Sequence, residues 1–123
     1  MPSPKSDAIR MRHMLDACRK ALLFTENKSR SDLDSDEKLA LALVRLVEII
    51  GEAASKITPD VQQRFSSIPW REITGTRNRL IHGYDQVNLD ILWRIVADDL
   101  PPLVGILDAA IRQQERKEQQ GLF

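Results

Sequence analysis

Arg77, Asn78, Arg79, His82 and Tyr84 bring two guanidiniums, an amide, an imidazole and a phenol into one short stretch. The chain has one Tyr and two His, so its sole phenol lies two residues from one of its two imidazoles. An imidazole exchanges protons near neutral pH, whereas a guanidinium stays positive throughout. That combination suits phosphate-ester chemistry. One group moves protons while the other holds the charge that develops on oxygen. Arg77 and His82 are therefore the candidate catalytic pair.

Spacing places further conditions on the pair. A helix turns by about 100° per residue, so Asn78 and His82 would share a face of a helix running through the motif. The Asn78 amide would then hold one ring nitrogen of His82. Arg77 and His82 would diverge by about 140° on the same helix. Gly83 predicts a helix end near His82, because glycine accepts the left-handed conformation found just past such ends. From that end the imidazole can swing toward Arg77. A second copy of the motif from a twofold partner would also close the gap.

The elements that position these residues read as helices. Ser6 caps a helix whose apolar row runs Met11, Leu15, Cys18 and Leu22, widened by Met14, Ala17, Ala21 and Phe24. His13 falls at its surface or boundary. After a polar segment from Asn27 to Asp36, Asp34 or Asp36 caps a second helix. There Leu39, Leu43, Leu46, Ile50, Ala53 and Ile57 alternate steps of four and three. Gly51, Ala53 and Ala54 let another backbone approach this helix closely. Glu48 and Glu52 on its polar edge are within conceivable reach of Arg77.

Thr58-Pro59 predicts a capped helix start, and Pro69 starts the helix that carries the motif. Trp70 and Ile73 anchor that helix in the core. Asn88 caps a helix with Leu89, Leu92, Trp93, Val96 and Leu100 on one face. Pro101-Pro102 removes two amide donors and kinks or breaks it. From Arg112 onward the polar chain is expected to fray. No stretch alternates as a strand would, so the fold class is all-α.

Composition narrows the function classes. The 123 residues make one domain, 1–123, with 18 Lys plus Arg against 18 Asp plus Glu. Zero net charge gives no global pull toward nucleic acid or an acidic membrane. RNA contact must come from a local cluster such as Arg71, Arg77 and Arg79. A single Cys excludes an internal disulfide and any Cys-rich zinc site. The two His lack metal-ligand spacing, so neither a metal nor another cofactor is expected. No signal peptide or apolar span is evident, and a soluble cytoplasmic protein is expected.

Arg77-Asn78, three residues, then His82-x-Tyr84 resembles the signature of the HEPN superfamily, and the His-x-Tyr ending resembles its HepT branch. The likeness extends to Glu48-Ile49-Ile50-Gly51-Glu52-Ala53-Ala54, Ile68-Pro69-Trp70 and Asp99-Leu100-Pro101-Pro102-Leu103. It implies a bundle of about five helices, the last kinked or broken at Pro101-Pro102, that forms a homodimer with the two motifs facing each other. It further implies a metal-independent endoribonuclease toxin. In that reading His82 is the acid/base and Arg77 the phosphate and transition-state ligand, with Asn78 orienting the pair. Arg77 and Arg79 bind RNA. Tyr84 is the residue that an MntA-like nucleotidyltransferase antitoxin modifies with AMP. The competing class is a non-catalytic HEPN dimer that binds a nucleotide or a partner protein.

Overall fold

The computed structural model describes residues 6–82 and 86–121, and of His82 the backbone alone. Three long helices form the body: α1 (Asp7–Phe24), α3 (Glu37–Ser55) and α8 (Leu100–Gln120). Helix α1 packs against both of the others. Shorter helices are α2 (Asp32–Ser35), α4 (Pro59–Arg64), α5 (Trp70–Thr74), α6 (Thr76–Leu80) and α7 (Leu89–Arg94). The only strands among the described residues are β1 (Ile81–His82) and β2 (Gln86–Val87), an antiparallel pair. The fold is all-α. None of the described helices is long and apolar enough to cross a membrane.

The apolar rows meet in one core. Met11, Met14 and Cys18 of α1, Leu43 and Ile50 of α3, and Leu103 and Leu107 of α8 are all buried within it. Phe24, expected on the α1 stripe, is exposed, because the helix ends there beyond the reach of its neighbours. Leu33 of the little helix α2 is buried, which gives the polar segment before α3 its anchor.

Three of the anticipated caps form. Ser6 Oγ accepts from the Ile9 amide at 3.1 Å, Asp36 Oδ1 from Leu39 at 3.0 Å, and Asn88 Oδ1 from Ile91 at 3.0 Å. Each such cap contributes about 1 kcal/mol. Thr58 acts differently. Its amide and hydroxyl both donate to the Asp7 carboxylate, at 3.0 and 2.8 Å, so it ties the start of α4 to the start of α1 instead of capping α4.

Of the two forms expected at Pro101-Pro102 the break is not the one found, and the C-terminal end departs from expectation. Helices α7 and α8 are joined, not broken, by a π-helical turn over Ile95–Asp99, in which the Leu100 amide reaches back to the Ile95 carbonyl. Pro101 and Pro102 have no amide to give the carbonyls four residues earlier, and their rings crowd them. A turn with a wider ring of atoms removes that conflict while the rod continues.

The C-terminal segment does not fray at Arg112; α8 runs to Gln120. Gln114 is buried, accepting from Arg64 and donating to Glu118 at 2.9 Å. Glu118 in turn accepts from the Ala8 amide at 3.2 Å, and Glu115 pairs with Arg12. These polar residues satisfy the first turn of α1, where backbone donors need partners.

Helix α5 meets α3 at Gly51. A Cβ built on Gly51 would stand 3.2 Å from the Ile73 carbonyl oxygen. Gly51→Val should therefore push α5 outward and cost about 1–3 kcal/mol, read as a lowered urea midpoint. The Cys18 thiol is fully buried, and burial pushes its pKa up to about 12. It should ignore a disulfide reagent at neutral pH and react only once denaturant unfolds the chain.

Candidate functional site

The described part of the motif sits on the short helix α6 and strand β1, with α5 leading into it, where a single helix ending near His82 was expected. Gly75 interrupts the helical run from Trp70 to Leu80. Its amide still bonds the Arg71 carbonyl at 3.0 Å, but α6 then starts afresh from the Gly75 carbonyl, which accepts from Asn78 and Arg79 at 3.1 and 3.3 Å. The break would orphan the Glu72 carbonyl. The buried Thr76 hydroxyl covers it at 2.8 Å. Thr76 carries no signal in the sequence beyond its place after a glycine.

Helix α6 ends at Leu80, two residues before the expected end at His82. Ile81 is extended, with φ −106 and ψ 117, while its amide still closes on the Arg77 carbonyl. Leu80 is fully buried and its carbonyl accepts from the Asn88 amide at 2.8 Å. Those two bonds turn the chain out of the helix and into the hairpin, where Ile81 faces Val87 and His82 faces Gln86. Asn78 and His82 therefore do not share a helix face. The physical cause is the half-buried, β-branched Ile81–Val87 pairing against the core, which favours extended backbone over another helical turn.

Arg77, Asn78 and Arg79 are all exposed. Arg77 lines a cleft of about 160 Å³ between α3 and α5–α6, together with Glu48, Gly51, Glu52, Ser55 and Thr74. The two glutamates anticipated as neighbours of Arg77 are thus in its cleft. Glu52 already lies 3.5 Å from Arg45, a pair more than half exposed at both ends and so worth little.

Arg79 points to the other side. It lines a larger groove of about 540 Å³ bordered by the π turn and the start of α8, with Glu72, Asp98 and Asp99. Its guanidinium is 3.9 Å from Asp99, again a solvated pair. Arg71 is exposed on α5. The His82 side chain and the whole of Tyr84 lie outside the described residues. Among the described residues no group of three His, Cys, Asp or Glu is placed to hold a metal ion.

An exposed guanidinium beside a shallow cleft can bind an anion, and the backbone of His82 lies on the strand that directly follows its helix. Comparison with known proteins bears on that chemistry. Residues 14–110 match the family model described as ribonuclease HepT-like. The chain is 40% identical over 82 residues to a probable ribonuclease HepT of Thermococcus cleftensis, covering 67% of this chain and 74% of that one. It is 36% identical over 93 residues to a provisionally named RNase of Caldanaerobacter subterraneus, covering 76% and 83%. A similarly named protein of Methanocaldococcus jannaschii is 33% identical over 90 residues, covering 73% and 83%. No solved structure matches.

Removing the Thr76 hydroxyl tests how the motif helix is held. Thr76→Val keeps the burial but leaves the Glu72 carbonyl without its partner, which should cost about 1–2 kcal/mol in urea unfolding. Amide exchange should quicken in Asn78 and Arg79 before it does in α1.

Proposed function

The chain belongs to the HepT-like ribonuclease family, and on that premise we propose that it is a metal-independent endoribonuclease acting in the cytoplasm as the toxin of a toxin–antitoxin pair. The observation that supports this reading best is the placement of Arg77. It stands exposed in a cleft, and its own carbonyl is bonded by Ile81, next to His82. Backbone hydrogen bonding thus couples the anion-binding residue to the strand that bears the proton-transfer residue.

In the reaction, His82 takes the proton from a ribose 2′-hydroxyl as that oxygen attacks the adjacent phosphorus. The bond from phosphorus to the 5′-oxygen breaks, and a proton from the imidazole goes to the departing oxygen. The products are a cyclic phosphate and a free 5′-hydroxyl. Arg77 binds the phosphate and stabilises the charge that builds up on its oxygens. Asn78 orients the pair. It does so from α6, since a shared helical face with His82 is not available. The need for a 2′-hydroxyl selects RNA over DNA.

A homodimer with facing motifs would bring two copies of Arg77 to one cleft. Arg79, half exposed and only loosely held by Asp99, adds a second RNA contact at the edge. A nucleotidyltransferase antitoxin of the MntA type would transfer AMP to Tyr84, placing a bulky anion where the RNA backbone must lie. A non-catalytic dimer that binds nucleotide or protein is the other class, and it predicts no RNA cleavage at all.

Arg77→Ala and His82→Ala should each lower the cleavage rate by about two to four powers of ten, with circular dichroism and dimer mass unchanged. EDTA should leave the wild-type rate intact, and a 2′-deoxy residue at the cut should abolish it. Wild-type rates in either alanine variant would reject these roles. Tyr84→Phe should still cut RNA but accept no AMP from the antitoxin.

A further inference from the structure

The flank of α3 next to the Arg77 cleft, across Glu52, carries a second groove. It has a volume of about 420 Å³ and lies between α1 and α3, lined by Arg10, His13, Arg45, Ile49, Glu52, Ala53 and Lys56. Three permanent cations and an imidazole meet there against one carboxylate. On a chain with equal numbers of acidic and basic residues, that is a local excess. The groove beside Arg79 has the opposite sign, with Glu72, Asp98 and Asp99 against one guanidinium.

Two contacts make the basic groove a built feature. Arg10 donates to the Lys56 carbonyl at 3.4 Å, so α1 holds the C-terminal end of α3 and sets the groove width. Arg45 is held toward Glu52 at 3.5 Å, two helical turns along the same face of α3. From Arg45 to Lys56 the helix rises about 16 Å, which spaces the cations along a line. Its floor is apolar, with Ile49 and Ala53 half-buried. A charged groove with an apolar floor is the kind of surface that tracks a single-stranded backbone while its bases lie against nonpolar groups.

Glu52 lines both this groove and the Arg77 cleft. The two are therefore neighbours across one ridge of α3. We infer that the Arg10–His13–Arg45–Lys56 groove is a binding track for the sugar–phosphate backbone of single-stranded RNA, continuous over the Glu52 ridge with the Arg77 cleft. The proposal rests on the ribonuclease reading for its ligand and extends it from one phosphate to a run of nucleotides. An acidic protein segment has the same charge but lacks the repeating phosphate ladder. It is the alternative occupant that the test must separate.

The experiment uses a 2′-O-methyl oligoribonucleotide of about 20 nucleotides, which the full-length protein cannot cut, followed by fluorescence anisotropy across a salt series. Each phosphate released from contact removes about 0.7 from the salt slope for a single strand. The double variant Arg45→Gln/Lys56→Gln should lose about 1.4 of slope and weaken binding by about tenfold at low salt. Lys56→Gln alone, at the end of α3, should shift both in the same direction by about half. Arg116→Gln/Lys117→Gln removes two exposed cations of α8 that do not line the groove, and should change neither.

Wild-type affinity and slope in the groove variants would overturn the track, as would an equal loss in the α8 control. Polyglutamate competing as well as RNA, with the same sensitivity to the groove variants, would overturn the RNA assignment in favour of an acidic protein. Because the probe is uncuttable, these results stand apart from catalysis. Failure of Arg77→Ala to affect cleavage would sink the catalytic assignment and leave the groove measurement intact.

Discussion

The absence of a side chain at Gly51 is the constraint on which the candidate site depends. It lets the Ile73 carbonyl come to within 3.2 Å of where a Cβ would be. Helix α5 ends at Gly75, and α6, which also packs on α3, follows at once. Helix α6 then starts with Thr76 buried and Arg77 turned outward over Glu48 and Glu52. The backbone bonds that set the turn from α5 into α6 and from α6 into β1 run among Gly75, Arg77, Leu80 and Asn88. The site is thus assembled by one backbone-to-backbone approach.

Much of this was legible in the residues, and the rest was hidden for specific reasons. The long helices and the caps at Ser6, Asp36 and Asn88 followed from periodicity and from oxygen-bearing side chains placed just ahead of apolar runs. The close approach at Gly51 was visible as a small residue inside a broad apolar face. The break at Gly75 was not, because Trp70, Ile73, Arg77 and Leu80 keep helical spacing straight through it. A one-residue interruption scarcely alters which residues are buried, so a burial pattern does not register it. The early end at Leu80 was missed because the deciding partner, Val87, lies beyond the turn.

Polar sequence misled in the C-terminal segment for a related reason. Gln114 and Glu118 look like solvent-facing residues on a fraying tail, yet they carry the hydrogen bonds that the first turn of α1 and the Arg64 side chain require. Burial of a polar side chain is tolerated when each of its atoms is matched. The match here is spread over three elements far apart in sequence. Likewise, the two prolines announced a disturbance at Pro101-Pro102 but not its form. Whether a rod breaks or widens there depends on what both halves pack against. Leu92 and Leu100, both buried, hold the helix on the core from either side of the π turn.

Charge followed the same logic. Counting residues gives a neutral chain, with Arg71, Arg77 and Arg79 as one candidate local cluster. Folding separates them, since Arg77 and Arg79 are two residues apart on a short helix and enter different clefts. It also gathers cations that are far apart in the chain, Arg10 and His13 from α1 with Arg45 and Lys56 from α3. The pairing of α1 with α3 creates that excess. Glu52 stands between the basic groove and Arg77, whose own cleft also holds Glu48, and it is already engaged by Arg45. A phosphate arriving there would compete with an exposed carboxylate held by a weak ion pair. The ridge therefore presents a small barrier to an extended anion, and a neutral total charge is compatible with a directed surface for one.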